Sequence, residues 1–522
     1  MCGIYAILGP RSLTPRVKNL TPRGPDSQTC VEFTNAFMYH TRLAIVGLNT
    51  PSKQPFDADG WCVTVNGEIY NHEDLGGTSG ASDCAVLTSL LSTHTPHDVC
   101  RLIDGIFAFV AYDEATHTAV IARDPIGVVP LYFGFENNTL HVSSLIAAFP
   151  DTVTPEIFPP GCVAVFANNE LVTTRYTSAY REEWNEPLCW NPSAHVERVD
   201  QLCDQLYTTL DNAVRKRLMG DTPWGVLLSG GLDSTIIAAL AVRHASSRPD
   251  YPVVHSFSVG LADSPDLAVA RRVAAQLGTV HHEYIYTVEE GVNALRDVIR
   301  AIETFDVTTV RASTPMWLLT RFIKQHGVKM VLSGEGADEL FAGYKYNEWC
   351  PSPDEMAKEC IRKMDTLHAY DCQRANKSTA DHGVECRVPF LDKQVIDFAM
   401  NMMWPGYKMT RPWLEEELME KWILRRAFHH MIPEEVAERA KAQFSDAVGN
   451  RWIESLRLIA ASKNMTEEQW YRQLYVEQFG ARAESVVVTG PSVACSTGKA
   501  LSWNDAWKSP DPSGNILLST VC

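Results

Sequence analysis

The sequence predicts a mixed α/β chain of two unlike parts, a β-rich α+β layered part followed by a doubly wound parallel sheet. Three observations carry this. From Cys2 to about Tyr176 the chain runs as short apolar stretches broken by turn residues. From about Val196, strand-like and helix-like stretches alternate, the pattern of a parallel sheet with crossover helices. Glycine-rich loops then follow two of the later strand-like runs, where such sheets bind ligands.

The elements follow in chain order. Gly3–Leu8, Leu43–Val46, Cys62–Val65, Phe107–Tyr112, Ala119–Ala122, Leu131–Phe135 and Cys162–Phe166 are short runs rich in β-branched and aromatic residues and read as strands. Asp83–Ser92 reads as a helix. Thr177–Ser193, polar with two prolines, reads as the linker. A helix over Val199–Leu218 leads to a buried strand at Trp224–Leu228, Gly230-Gly231, and an apolar helix over Thr235–His244. Val253–Val259 and Leu267–Leu277 repeat the strand–helix pair, and Val328–Leu332 is a further strand. Asp354–Ala461 is largely helical. The boundaries are therefore 2–176, a linker at 177–195, a second domain at 196–480, and a partly ordered Ser/Pro/Gly-rich tail at 481–522.

At 522 residues the chain exceeds what one core supports. Its net charge of −17, without a long basic run, argues against nucleic acid as a main partner. No apolar stretch approaches the roughly 20 residues that span a bilayer, and the start lacks the basic flank of a signal peptide. The 14 cysteines are scattered, with no CxxC or Cys/His cluster to suggest zinc, and read as reduced thiols of a cytoplasmic protein.

Chemistry concentrates at three places. Met1 precedes Cys2-Gly3-Ile4, and a residue as small as Cys2 permits methionine removal. That would put a thiol beside its own α-amine, a nucleophile beside a base that titrates near pH 7.7–8.0. Ser229-Gly230-Gly231-Leu232-Asp233-Ser234 lies between a strand and a helix, where glycine backbone N–H groups and the helix N-terminus cradle phosphate. It is not a P-loop, since no lysine follows the glycines. Ser333-Gly334-Glu335-Gly336-Ala337-Asp338-Glu339 sets three carboxylates on a second such loop, so a cation must stand between them and phosphate. Asp233 and Asp338 are the candidate Mg²⁺ ligands.

With Cys2-Gly3-Ile4, the runs Arg23-Gly24-Pro25-Asp26, Arg42-Leu43, Asn66-Gly67-Glu68-Ile69-Tyr70-Asn71 and Ser82-Asp83 resemble class II glutamine amidotransferase domains. The Ser229–Ser234 loop resembles the pyrophosphate loop of ATP-pyrophosphatase synthetases. In this order, with HSFSVG at 255–260, DVTTVRASTP at 306–315, ECRVPFLD at 385–392, KAQFSD at 441–446 and GPSVACS at 490–496, the chain resembles glutamine-dependent asparagine synthetases of the bacterial B type. The resemblance implies an Ntn-type αββα glutaminase sandwich and a synthetase domain. It implies ATP, L-aspartate and L-glutamine as substrates, Mg²⁺ with the ATP, and a homodimer. Cys2 would form a glutamyl thioester, Asn66 and the Gly67 N–H would make the oxyanion hole, and Arg42, Glu68 and Asp83 would bind glutamine. Leu227, Val259, Ser333 and Gly334 would surround the AMP, and Thr308 and Arg311 the acyl-adenylate. Lys441 would neutralise phosphate and Glu335 would assist ammonia attack.

Departures from the family pattern cluster in the first part: Pro22 before Arg23, Thr41 before Arg42, and a shortened stretch from Tyr70 to Asp83. They keep open an ammonia-dependent synthetase with a weakened glutaminase. A non-catalytic nutrient-binding homologue is a further alternative, and a β-lactam-forming synthetase would share the second half.

Overall fold

The structure, a computed structural model, describes residues 1–10, 15–48, 53–184, 192–245, 250, 253–409, 419–439, 450–490 and 497–503. The first part holds β1 (Gly3–Leu8), β2 (Ser27–Glu32), β3 (Ala36–Arg42), β4 (Phe56–Ala58), β5 (Trp61–Ile69), β6 (Gly105–Asp113), β7 (Thr118–Arg123), β8 (Tyr132–Glu136), β9 (Thr139–Ser143), β10 (Glu156–Ile157), β11 (Cys162–Ala167) and β12 (Glu170–Arg175). They form two antiparallel six-stranded sheets, ordered β10-β8-β9-β1-β3-β2 and β12-β11-β7-β6-β5-β4.

Side-chain alternation turns these sheets into layers. Ile106, Ala108, Val110 and Tyr112 of β6 join Ile4, Ala6 and Leu8 of β1 in the core between the sheets. Phe107, Phe109 and Ala111 point the other way, onto Leu87, Leu90 and Leu91 of the helix Val86–Thr93. Both faces of β6 are buried, which is why it reads as one apolar run. On the far side of the first sheet, Tyr5 and Ile7 pack with Leu20 and Ala148 from two short 3₁₀ turns.

The stretch Leu43–Val46 is not the expected strand. The Asp26 carboxylate accepts from the Ala44 N–H (2.7 Å), and Arg42 donates to the Val46 and Gly47 carbonyls (3.1 and 3.2 Å). Side chains satisfy the backbone groups that a ladder would use. β2 and β12 escaped the sequence reading because they are half-exposed or exposed strands at sheet edges, with no apolar run.

The second part is built on β13 (Trp224–Leu227), β14 (His255–Gly260), β15 (Val280–Ile285), β16 (Met330–Leu332) and β17 (Glu385–Arg387). All pair in parallel, in the order β15-β14-β13-β16-β17. Helices Leu232–Ala245, Pro265–Leu277 and Val307–Gln325 cross between strands. The carboxyl ends of β13 and β16, adjacent in the sheet, feed the two glycine-rich loops.

One hydrophobic core runs through both parts, and buried polar contacts cross the seam. Lys377 joins Glu303 (2.7 Å) and the Tyr132 hydroxyl (2.7 Å), while Glu303 also accepts from the Ala147 N–H (2.8 Å). Lys216 crosses it too, joining Asp104 of the first part (2.5 Å) and Asp392 of the second (2.5 Å), and Asp392 also takes Arg217 (2.6 Å) and accepts from the Gln394 N–H (3.0 Å). No helix of the described residues is long and apolar enough to cross a membrane.

Burial alone would raise the Asp392 carboxyl, but Arg217 and Lys216 hold it below the usual carboxylate range. A depressed folded pKa means stabilisation present above the unfolded value near 3.9 and lost as pH falls below it. Asp392→Asn therefore lowers unfolding free energy by about 3 kcal/mol at pH 7, because buried cations lose their partner. Urea titrations at pH 7 and at acid pH check this: the gap between wild type and variant narrows as pH drops below that of an ordinary carboxyl.

Candidate active sites

Cys2 stands at the entry to β1, which is held by pairing of Gly3 with Thr41 on β3. Its Sγ lies 4.0 Å from the Leu43 carbonyl oxygen. Burial pushes the thiol upward, the N-terminal ammonium opposes this, and Glu385 and Glu68 add to the rise. The thiol therefore needs a base to become a thiolate.

β5 delivers the neighbouring groups in one run. Both amide atoms of Asn66 are buried and find no hydrogen-bond partner among the described residues. Leaving a buried amide unpaired costs about 1–3 kcal/mol. Gly67 has φ +145°, and a Cβ there would collide with the Ile106 carbonyl across the ladder. Glu68 reaches Arg387 (3.3 Å) with one oxygen, and its other oxygen is unpartnered among the described residues. Burial, then the Glu385 and Asp83 carboxylates, push Glu68 well above the ordinary range. Asp83 accepts from the Ile69 N–H (2.7 Å), and burial raises it too. Arg42 sits at the end of β3 with the two carbonyl contacts already described.

The second site is a cavity of about 530 Å³ at the carboxyl ends of β13, β14 and β16. Of the residues expected there, Leu227, Ser229, Asp233, Ser234, Val259, Thr308, Ser333, Gly334, Glu335 and Asp338 line it. Gly230, Gly231 and Leu232 form the turn behind them. In that turn the Ser229 and Ser234 hydroxyls are 3.0 Å apart, and the Gly231 N–H donates to Ser229 Oγ (3.3 Å). Gly334 lets the second loop lie on the first: a Cβ there would stand 2.9 Å from Asp233 Cβ. Glu335 is paired with Arg374 (2.7 Å), which also takes Asp371 (2.6 Å), and burial raises the Glu335 carboxyl against that pull.

Arg311 is placed differently. It makes a two-pronged ion pair with Glu467 and is not among the cavity-lining residues, whereas Thr308, Thr309 and Ala312 of the same helix are. Lys441 and its KAQFSD run lie outside the described residues, as does 491–496 of the GPSVACS run.

Sequence reasoning missed Lys421. Its Nζ lies 2.6 and 2.7 Å from the Asp233 oxygens and 2.6 Å from Asp338, at 1% side-chain exposure. A cation thus stands between the two carboxylates chosen as metal ligands. Hard carboxylate oxygens beside a phosphate cradle are the donors Mg²⁺ takes, so these residues fit that ion. No local motif marks Lys421, which is 188 positions from Asp233. Glu385 and Arg387 were quoted in a family run without a role.

Two family models match the chain. A glutamine amidotransferase domain model matches residues 1–182, and an asparagine synthase model matches 205–352 and 347–507. Asparagine synthetase B [glutamine-hydrolyzing] of Escherichia coli K12 is 42% identical over 533 residues, 95% of this chain and 93% of that one. The glutamine-hydrolysing asparagine synthetase of Asparagus officinalis is 41% identical over 563 residues, covering 99% and 93%. A probable one from Dictyostelium discoideum is 41% identical over 565 residues, covering all of both.

Lys421→Met removes the ammonium that Asp233 and Asp338 share. Unfolding free energy falls by about 3–5 kcal/mol, the cost of stranding buried charge. Melting curves with and without MgCl₂ check this: magnesium raises the variant's Tm more than the wild type's.

Proposed function

The chain belongs to the glutamine-hydrolysing asparagine synthetases, and within that reaction we propose that its two sites act in series, Cys2 releasing ammonia and the 530 Å³ cavity consuming it. The observation that carries the first step is the buried, unpartnered Asn66 amide on β5, the strand whose Glu68 acts electrostatically on the Cys2 thiol.

After methionine removal the Cys2 α-amine takes the thiol proton. Sγ attacks the side-chain amide carbon of glutamine, and the Asn66 amide with the Gly67 N–H receives the developing oxyanion. The Cys2 ammonium gives its proton to the amide nitrogen as the C–N bond breaks and ammonia departs, and water then cleaves the γ-glutamyl thioester to glutamate and the free Cys2 thiol. Glu68 and Asp83 face the substrate ammonium, and the Arg42 guanidinium its carboxylate.

In the cavity, an aspartate β-carboxylate oxygen attacks the α-phosphorus of ATP, giving β-aspartyl-AMP and pyrophosphate. The Ser229–Ser234 turn holds phosphate oxygens, while Leu227, Val259, Ser333 and Gly334 wall the nucleotide. Asp233 and Asp338 would hold Mg²⁺, which when bound supplies positive charge to the phosphates. Thr308, with Arg311 behind it, borders the acyl-adenylate, and Lys441 keeps the phosphate-neutralising role that family likeness gives it. Ammonia then attacks the β-carbonyl, AMP leaves, and Glu335 accepts the proton that nitrogen loses. Free ammonia would be protonated in bulk water, so it passes through the seam between the parts. A cytoplasmic homodimer belongs to the proposal on family grounds alone.

Loss of one oxyanion donor costs about 10²–10³-fold in rate. Asn66→Ala therefore cuts glutamine-dependent asparagine formation by that factor and leaves ammonium-dependent formation near wild type. Cys2→Ala abolishes only the glutamine reaction. Quantifying asparagine and pyrophosphate with each nitrogen source checks both; equal loss from the two sources would overturn the division of labour.

A further inference from the structure

Part of the wall of the synthetase cavity comes from the tail that follows residue 480. Gly490, Thr497 and Gly498 line the cavity together with Thr308 and Thr309, in the first turn of the helix Val307–Gln325. The buried Asp306 carboxylate caps that helix and holds the tail at once. Its Oδ2 accepts from the Thr309 N–H (2.9 Å) and the Thr308 hydroxyl (3.0 Å), and its Oδ1 accepts from the Gly490 N–H (2.8 Å).

Glu359, on the helix Pro353–Thr366, is a second buried carboxylate with a divided role. Its Oε2 accepts from the Thr497 hydroxyl (2.7 Å) and from Arg362 Nε (2.8 Å), and its Oε1 accepts from the Tyr346 hydroxyl (2.9 Å). Thr497 Oγ1 in turn accepts from the Ala500 N–H (3.3 Å), and Ala500, with Leu501 and Trp503, packs against Tyr344 and Tyr346. Tyr344 itself lines the cavity and donates to Glu339. Two buried carboxylates on two different helices therefore fasten the tail to the cavity, and the reaction steps above use neither of them.

We propose that Gly490 and residues 497–503 close the synthetase cavity over the acyl-adenylate, and that Thr497 is a positioning residue whose hydroxyl latches this closure to Glu359. The inference rests on the synthetase reaction proposed above. β-Aspartyl-AMP is a mixed anhydride, and water and ammonia compete for the same carbonyl carbon. With either nucleophile the acyl C–O bond breaks and AMP leaves with the electron pair. Ammonia gives asparagine, whereas water only returns aspartate. Both outcomes consume one ATP and release one pyrophosphate. A closed cavity keeps bulk water from that carbon until ammonia arrives. A loosened tail wastes ATP without altering the synthetic step itself.

The test quantifies pyrophosphate and asparagine in one reaction with Mg-ATP, aspartate and ammonium chloride, so that Cys2 plays no part. The wild type releases one pyrophosphate per asparagine. Thr497→Val keeps the shape of the side chain but removes its hydroxyl, which weakens the closed state by about tenfold, the worth of one hydrogen bond to a charged acceptor. Pyrophosphate per asparagine then rises several-fold, and Thr497→Ser, which keeps the hydroxyl, returns the ratio to one. A merely structural role would slow both products in step and leave the ratio alone. A ratio of one in Thr497→Val, or a serine variant as wasteful as the valine variant, overturns the closure and leaves the synthetase reading intact. A wild type that makes no asparagine from ammonium overturns that reading, and the closure with it.

Discussion

Strand β17 carries the constraint on which both sites depend. Its Glu385 is held by Arg387 (2.6 Å), which also reaches Glu68 and the Arg217 carbonyl (2.7 Å), while the Arg387 carbonyl accepts the Ser333 N–H (2.9 Å). One three-residue edge strand therefore touches a buried carboxylate of the first part and the wall of the cavity in the second. Charges this deep persist only when paired on every side. Moving β17 would unpair several at once, so the two parts share a fixed geometry rather than a loose tether.

The two sites handle buried charge in opposite ways. Near Cys2, Glu68 and Asp83 are crowded and raised, an arrangement that a bound ammonium group relieves. In the synthetase cavity, the acidic pair Asp233 and Asp338 is already balanced by Lys421. In the first cluster carboxylates crowd one another; in the second one ammonium bridges two carboxylates and ties the two glycine-rich loops together.

Much of this was legible from local pattern. The runs at β1, β6, β7 and β11 are long enough in apolar residues to declare themselves, and the strand–glycine–helix rhythm of the second part located both phosphate-side loops. Arg42, Asn66, Glu68 and Asp83 were singled out by motif. What escaped has a common cause. Leu43–Val46 reads as a strand because its composition is right, yet Asp26 and Arg42 occupy its backbone groups. β2 and β12 lie at sheet edges and alternate or expose their side chains, so they carry no apolar signal.

By itself the sequence determined the two-part organisation, the chemistry-bearing residues of each part and the family that joins them. Those are properties of short segments, whose periodicity and residue types are local. Only the tertiary structure decided what stands between Asp233 and Asp338 and where Arg311 spends its charge. Each of these joins elements far apart in sequence, by more than 150 positions for Lys421–Asp233 and Arg311–Glu467. Partners so distant are chosen by how the sheets and helices stack, because a buried charge takes whichever opposite charge the packed core brings within reach.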